Sequence, residues 1–256
     1  MQMTETLLQT DALTVRFGGH VAVDAVSCSF KAGELTAIVG PNGAGKTTYF
    51  NLISGQIPAS AGTVTLLGKD ITRLGVAERC RRGLGRAFQL TNLFPNLSVL
   101  ENLRLVIQSR AEKGFQLFSM ADSHVELTNA AMEILERVRL ASQKEQLVSE
   151  LSHGDQRKLE VALLIGLDPK VYMFDEPTAG MSVDEAPVIL ELIAEIKADT
   201  SRTVLLVEHK LDVIRSLADR IIVLHNGALA ADGPPAEVMA STVVQEAYMG
   251  KELDHV

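Results

Sequence analysis

The sequence lacks tryptophan and contains only two cysteines, Cys28 and Cys80. Neither belongs to a C-x-x-C pair or has a histidine at metal-ligand spacing, so we predict two free thiols in a reducing compartment. Long apolar runs are also missing: the longest, such as residues 161–167, fall far short of the roughly 20 residues that a membrane-spanning helix needs. Residues 1–13 lack the basic start and apolar stretch of a secretory signal. We therefore predict a cytosolic protein that needs a partner for any work at a membrane.

An excess of basic charge is absent as well. The formal net charge is -8, with 24 Lys and Arg against 32 Asp and Glu. Proteins that bind nucleic acid usually carry a basic patch, and none stands out in this balance. The 256 residues, 46% of them hydrophobic, are enough for one large domain or two small ones with a well-filled core.

The first half of the chain changes character near residue 90. Before it, segments rich in Val, Leu and Phe alternate with glycine turns and predict strands at 7–17, 23–31, 34–39 and 63–67. Residues 90–151 instead show a helical apolar period, interrupted by a polar and irregular stretch at 110–123. We interpret this region as a helical insertion and not as a second independent domain.

After Leu151 the chain alternates helix and strand. The pattern predicts helices at 152–167 and 184–198, strands at 171–174 and 203–207, a hairpin of 220–225 with 228–231 across Asn226-Gly227, and short helices within 234–249. Alternation of this kind favours an α/β fold with a mostly parallel sheet and helices on both faces.

A phosphate-binding loop is predicted where the third strand ends. Residues 40–47, GPNGAGKT, fit the pattern G-x-x-x-x-G-K-[ST] and open a helix. The glycines let successive backbone N–H groups surround phosphate oxygens, and the helix points its positive end at the anion. Lys46 should reach the β- and γ-phosphates, and Thr47 should bind Mg²⁺. The predicted nucleotide contacts here are Gly40, Pro41, Asn42, Gly43, Ala44, Gly45, Lys46, Thr47 and Thr48.

Two carboxylates end the apolar strand at residues 171–174. Asp175 suits a role beside Mg²⁺, and Glu176 suits a general base that polarises the attacking water. The alternative is that both side chains only cap the turn before Pro177. The phosphate loop alone indicates nucleotide binding and no more, since kinases, GTPases and motor ATPases share it.

The segment between these two motifs carries a family resemblance. Residues 151–156, LSHGDQ, open a helix and resemble the LSGGQ signature of ATP-binding-cassette (ABC) proteins. Ser152 and Gly154 are kept, and a hydroxyl with a glycine amide at a helix start makes a second anion site. The resemblance implies that these two residues meet the γ-phosphate bound by another subunit. His153 and Asp155 depart from the consensus, and Asp155 can favour the positive start of its own helix.

Other elements of the family follow in order. Gln89 matches the glutamine loop, which the resemblance places against Mg²⁺ and the attacking water. His209 matches the switch histidine beside the γ-phosphate and the base, although a lone histidine at a strand end is more often just solvated. Phe17 matches the aromatic that stacks on adenine, with core packing as the alternative. Residues 179–182 match the D-loop, with Ser182 where aspartate is usual.

The resemblance covers residues 7 to about 251 and implies one ABC ATPase domain over 1–256. Within it we expect a P-loop NTPase core with a mostly parallel sheet, an N-terminal antiparallel β subdomain, a helical subdomain at about 90–155 and short C-terminal helices at about 234–256. The implied activity is hydrolysis of ATP to ADP and phosphate, with ATP and Mg²⁺ as cofactors. The implied assembly is a dimer of ATPase subunits, homo- or heteromeric, that sandwiches ATP beneath two membrane permeases.

The transporter class follows from finer resemblance. Residues 151–160, 175–182 and 247–251 are similar to the ATPases of branched-chain amino-acid importers, which also use a periplasmic binding protein. The alternatives are importers of urea or short amides and the lipopolysaccharide exporter. The chain would then lie peripherally on the inner face of the membrane, with residues 92–102 as part of the permease-docking surface.

Non-transport functions fit the sequence less well. A chromosome or repair ATPase of the superfamily would carry long heptad repeats, and translation factors usually hold two cassettes in one chain. A guanine-reading N-K-x-D motif is missing, and no lid or acceptor pocket indicates a small-molecule kinase. A regulatory binding module remains open only if Glu176 or His209 is catalytically idle.

Overall fold

The structure is a computed structural model that describes residues 5–87, 93–110 and 121–241. The chain divides into two compact units. The first unit comprises residues 1–84, 170–176 and 196–256, and the second comprises 85–169 and 177–195.

The described residues form ten strands and eight α-helices. The strands are β1 (Thr6–Phe17), β2 (His20–Lys31), β3 (Leu35–Val39), β4 (Ala61–Leu66), β5 (Lys69–Asp70), β6 (Leu84–Arg86), β7 (Val171–Asp175), β8 (Thr203–Val207), β9 (Arg220–His225) and β10 (Ala228–Gly233). The helices are α1 (Lys46–Ser54), α2 (Val76–Arg81), α3 (Val99–Arg110), α4 (Ala121–Arg137), α5 (His153–Leu167), α6 (Ala186–Ala198), α7 (Leu211–Leu217) and α8 (Pro235–Met239).

The first unit contains an antiparallel sheet in the order β2-β1-β4-β5. β1 and β2 form a hairpin across Gly18 and Gly19, and Gly18 has a left-handed φ of 59°. Leu8, Leu13 and Phe30 from these strands are fully buried in a core that also receives α1. The predicted N-terminal antiparallel β subdomain is therefore confirmed.

A second sheet runs in the order β10-β9-β3-β8-β7, and β6 follows at the edge, starting in the first unit at Leu84. Strands β9, β3, β8 and β7 are parallel, and β10 returns antiparallel to β9 across Asn226-Gly227. β3, β7 and β8 are five-residue strands buried along their whole length. Continuous burial is typical of parallel strands covered on both faces, so the predicted parallel sheet and hairpin are confirmed.

The second unit is mainly helical. α3, α4 and α5 pack together, and Gly166 allows close approach because a Cβ there would lie 3.0 Å from a methyl carbon of Leu103 and 3.3 Å from Ile107. The irregular stretch predicted at 110–123 is partly wrong, since α3 includes Arg110 and α4 already begins at Ala121. The first turn of α4, residues 121–124, holds a single apolar residue, so it gave no helical period to detect.

A buried arginine fixes the far end of α1. Arg79 of α2 is 2% exposed, and its guanidinium donates to the carbonyl oxygens of Leu52 (2.7 Å), Ile53 (2.6 Å), Thr72 (2.7 Å) and Leu74 (2.9 Å). Burial lowers the pKa of Arg79 to about 10, so the side chain stays charged at neutral pH. The two carbonyls from α1 lie at its C-terminus, where the helix dipole is negative and a cation is favourable.

We expect Arg79→Lys to destabilise the protein by roughly 2–4 kcal/mol, because an ammonium cannot reach all four carbonyls and leaves buried acceptors unsatisfied. Chemical denaturation measures the change. The matched control is Arg82→Lys, because Arg82 is half-exposed and forms only a surface ion pair with Glu78 at 3.0 Å. Equal effects of the two substitutions would contradict the structural role given to Arg79.

Candidate functional site

A cavity of about 410 Å³ opens at the end of the parallel strands in the first unit. It brings together several residues that the sequence predicted separately. Its lining residues are Phe17, His20, Ala22, Asn42, Gly43, Ala44, Gly45, Lys46, Thr47, Thr48, Glu176 and His209. Gly40 and Pro41 do not line the cavity, but their carbonyls hold the side chain of Lys46.

The loop between β3 and α1 has the shape that its glycines allow. Gly45 precedes the first helical residue with a left-handed φ of 97°, and a Cβ there would lie 2.6 Å from the carbonyl oxygen of Ala22. The start of α1 thus faces the cavity, where the N–H groups of its first turn and its positive dipole end favour an anion.

Lys46 is poised within this loop. Its ammonium is buried and donates to the carbonyl oxygens of Gly40 at 2.7 Å and Pro41 at 3.0 Å. A bound phosphate can take over these hydrogen bonds as stronger ones, because its acceptor oxygens are charged as well as the donor. Thr47, predicted to bind Mg²⁺, also lines the cavity.

Glu176 and His209 meet at the opposite wall. Glu176 follows β7 with a left-handed φ of 51°, and its N–H donates to the carbonyl of Val207 at 2.9 Å. This unusual backbone turns the side chain toward His209, and Glu176 Oε1 lies 2.8 Å from His209 Nε2. Left-handed conformations of such residues are unfavourable and cluster at functional sites. The hydrogen bond to the imidazole thus orients the carboxylate of Glu176. A general base needs a side chain that is positioned in this way.

The predicted magnesium ligands are only partly described. Asp175 is the last residue of β7, 9% exposed and outside the cavity lining, whereas Thr47 lines it. Hydroxyl and carboxylate oxygens suit Mg²⁺, which keeps waters and substrate phosphates as its other ligands. Within the described residues no three His, Cys, Asp or Glu side chains form a metal cage. Gln89, the third predicted ligand and a predicted catalytic residue, lies outside the described residues.

Two aromatic side chains stand at the mouth of the cavity. Phe17 is 53% exposed, which does not fit the core-packing alternative. His20 pairs directly with Phe17 across the hairpin, so both side chains project from the same face of the strands. His20 is not among the residues that the sequence motifs predicted for the site. The two-residue turn Gly18-Gly19 was the signal that could have found it.

The signature segment begins α5 in the second unit. Ser152 is the N-cap residue, and its Oγ accepts from the N–H of Asp155 at 3.1 Å. The carboxylate of Glu185 packs against Gly154: a Cβ there would lie 2.1 Å from Oε1 of Glu185 and would displace this flexible side chain. His153 replaces the consensus glycine without a clash in this position and faces Gly180, whose added Cβ would lie 3.5 Å from the imidazole.

Ser182, which stands where aspartate is usual, makes a local cap. Its N–H and hydroxyl donate to Oε2 of Glu185 at 3.2 and 2.8 Å. This is the S-x-x-E arrangement that begins a helix, and α6 follows at Ala186. The hydrogen bonds hold the pKa of Glu185 below its usual value.

Comparison with known proteins identifies the family. A family model described as ABC transporter matches residues 23–179. The chain belongs to the ABC transporter family. It is 36% identical to the high-affinity branched-chain amino acid transport ATP-binding protein LivG of Salmonella typhimurium, over 97% of this chain and 100% of the relative. It is 34% identical to BraF of Pseudomonas aeruginosa, described in the same words, again over 97% and 100%.

Solved ABC cassettes share the fold. One, an ATP-binding cassette of an ABC transporter in its ADP conformation, has a TM-score of 0.80 and 31% identity, covering 96% of this chain and 100% of that chain. Another is a dimeric post-hydrolysis state of an ATP-binding cassette bound to ADP and Pi, with a TM-score of 0.76 and 26% identity, covering 90% and 99%. No helix in the part of the chain that the structure describes is long and apolar enough to cross a membrane.

We expect Lys46→Met to weaken ATP binding roughly a hundredfold, because the charge-assisted hydrogen bonds to phosphate disappear while the apolar stem remains. Equilibrium binding of ATP to the purified protein measures the change. Lys69→Met serves as the control, because Lys69 is an exposed lysine of the same unit on β5. Unchanged ATP affinity in the Lys46 variant would show that the cavity is not the nucleotide site.

Proposed function

We propose that this chain is the ATP-hydrolysing subunit that powers an ABC importer of branched-chain amino acids. The observation that carries the proposal is the cavity of the first unit. The phosphate loop, Glu176 and His209 line this one cavity together with the exposed side chain of Phe17. The near-full-length identity to branched-chain relatives favours this importer over the urea, amide and lipopolysaccharide systems.

The residues of the cavity divide the chemistry among themselves. The N–H groups of the loop and Lys46 bind the β- and γ-phosphates, and Phe17 stacks on the adenine. Mg²⁺, held by Thr47 and Asp175, would neutralise charge on the phosphates. Glu176 accepts a proton as a water oxygen bonds to the γ-phosphorus, and the bond from that phosphorus to the ADP oxygen breaks.

His209 is the partner that orients the base. Its hydrogen bond to Glu176 Oε1, 2.8 Å long, holds the carboxylate in one direction although both side chains are about two-fifths exposed. The backbone N–H of His209 donates a hydrogen bond to Oε2 of Glu208 at 2.8 Å, which fixes the main chain at His209. An imidazole in this place can also donate to a γ-phosphate oxygen, which would link nucleotide state to the position of the base.

A second subunit would complete each site. Ser152 is the N-cap residue of α5 and Gly154 lies in its first turn, and we infer that both contact the γ-phosphate held by the partner's phosphate loop. A solved cassette with 26% identity is dimeric with ADP and Pi bound, which supports this arrangement. ATP would then join two subunits, and its hydrolysis would separate them.

We propose residues 92–102 as part of the permease-docking surface. The structure describes this segment from residue 93 onward, and hydrogen bonds from one buried side chain hold it. The side chain of Asn102 is buried; its Oδ1 accepts from the N–H of Phe94 at 2.9 Å, and its Nδ2 donates to the carbonyls of Phe94 at 3.1 Å and Ser98 at 2.9 Å. Phe94 itself is 55% exposed. A rigid turn that displays a large apolar side chain suits docking of a permease, which would bring the chain to the inner face of the membrane.

The base assignment predicts the behaviour of Glu176→Gln. We expect ATP turnover to fall at least a hundredfold, because removing a general base typically costs 10²–10⁴ in rate. ATP binding should persist and accumulate a dimer, visible by size-exclusion chromatography with ATP. Asp212→Asn is the control, since Asp212 lies in the first turn of α7 and does not line the cavity. Turnover at the parent rate in the Glu176 variant would remove Glu176 from the mechanism.

The transport assignment has its own test. The chain is co-purified from its host with its membrane partners and reconstituted in liposomes, and ATP hydrolysis is measured with leucine-loaded, urea-loaded and empty binding proteins. We expect permeases in the preparation and stimulation by the leucine-loaded protein. Hydrolysis that responds to none of them, or a preparation without membrane proteins, would leave the ATP chemistry standing and overturn the importer.

A further inference from the structure

The hydroxyl of Ser152 both donates and accepts a hydrogen bond within its own chain. Its Oγ accepts from the N–H of Asp155 at 3.1 Å, which caps α5, and it donates to Oδ2 of Asp155 at 3.0 Å. A serine hydroxyl has a single proton to donate. In this structure that proton therefore points at a carboxylate of its own helix.

Asp155 is anchored independently of Ser152. Its Oδ1 accepts from the ammonium of Lys158 at 2.8 Å, and its Oδ2 also accepts from the side-chain amide of Gln143 at 3.0 Å. Burial alone would raise the pKa of Asp155, but the hydrogen bonds from Lys158, Ser152 and Gln143 hold it below its usual value. The carboxylate is thus charged. Lys158 and Gln143 still hold it when the hydrogen bond from Ser152 is broken.

The surroundings of the hydroxyl are more acidic than basic. Glu185 packs its carboxylate against Gly154, two residues after Ser152 in the chain, and Lys158 is the cation shared by Asp155 at 2.8 Å and Glu185 at 4.0 Å. Two carboxylates against one ammonium leave a local excess of negative charge. A phosphate oxygen that approaches this segment must compete with Asp155 for the proton of Ser152 and does so against like charge.

We propose that Asp155 is a positioning residue that withholds the Ser152 hydroxyl from nucleotide and so raises the ATP concentration at which two subunits pair. The inference rests on the proposed function, in which Ser152 contacts the γ-phosphate of a partner subunit. It adds a role for a residue that departs from the family signature. The subunits pair only when the triphosphate binds strongly enough to turn the hydroxyl away from Asp155.

The direction of the effect follows from the strength of the competing acceptor. A hydrogen bond to a charged acceptor is roughly twice as strong as one to a neutral acceptor. An asparagine at position 155 keeps the size, the backbone N–H that caps α5 and one carbonyl acceptor, but it removes the charge. The proton of Ser152 then turns to phosphate more easily, and pairing should need less ATP.

The test uses the Glu176→Gln chain, which does not consume the nucleotide. Self-association is followed by sedimentation at a fixed protein concentration while ATP is varied. We expect Asp155→Asn to lower the midpoint ATP concentration roughly three- to tenfold, and Ser152→Ala to raise it. In the Ser152→Ala background, Asp155→Asn should lower the midpoint by a clearly smaller factor, because only the repulsion between like charges is then relieved. Asp155→Gln is a second variant that restores the consensus residue.

Two measurements separate this role from a structural one. ATP affinity of the dilute, unpaired chain should be the same with and without Asp155→Asn, because the change would act only in the pair. Glu145→Gln removes the same charge from an exposed position two residues from Gln143 and should leave the midpoint unchanged.

An unchanged or raised midpoint in Asp155→Asn and Asp155→Gln overturns the inference while leaving the proposed function intact. An equal decrease in the Ser152→Ala background also overturns it, because Asp155 would then act by charge alone. If the Glu176→Gln chain does not self-associate at any ATP concentration, two copies of this chain do not form the shared site and the inference fails, whereas the proposed function still stands with a different ATPase subunit as the partner.

Discussion

The register of three parallel strands is the constraint on which the rest of the structure depends. Ile38 of β3 pairs with Val207 of β8, and Val207 pairs with Asp175 of β7, so these three residues form one line across the sheet. The chain leaves the sheet just beyond this line in all three strands. The phosphate loop, His209 and Glu176 therefore emerge side by side, about 5 Å apart from strand to strand. A shift of one residue in the register of any strand would turn its side chains to the other face of the sheet. The site residues would then no longer lie next to one another.

The same register explains why an unfavourable backbone is tolerated at Glu176. Its N–H still bonds to the carbonyl of Val207, so the residue remains attached to β8 while its φ of 51° takes the chain out of the strand direction. His209 leaves from β8 only two residues after Val207. The 2.8 Å contact between the two side chains thus follows from one backbone hydrogen bond and one turn. The unfavourable backbone conformation of Glu176 is compensated by the packing of the buried strands β7 and β8.

Much of this could be predicted from the sequence, because the signals are local. Buried apolar runs marked β3, β7 and β8, and the Asn226-Gly227 pair marked the hairpin. The short helices α2 and α7 were not predicted: six and seven residues carry too little periodicity to stand out. No local signal marks Arg79 as buried, because its burial depends on carbonyls up to 27 residues away in the chain. His20 and Glu185 were missed for the same reason, since cross-strand pairing and packing against Gly154 exist only once the chain is folded.

The positions that depart from the family signature are satisfied by neighbours rather than left strained. Ser182 has no carboxylate, but Glu185 supplies one three residues later and accepts both of its hydrogen bonds. Asp155 adds a charge, and Lys158 and Gln143 hold it. Because every one of these groups has a partner, the departures need not disturb the fold. What they change is the electrostatic field at the start of α5, where the partner's phosphate is proposed to bind. The proposed competition for the Ser152 proton therefore costs the fold little stability, and it bears on the ATP needed for pairing because a phosphate is sensitive to a single charge at hydrogen-bonding distance.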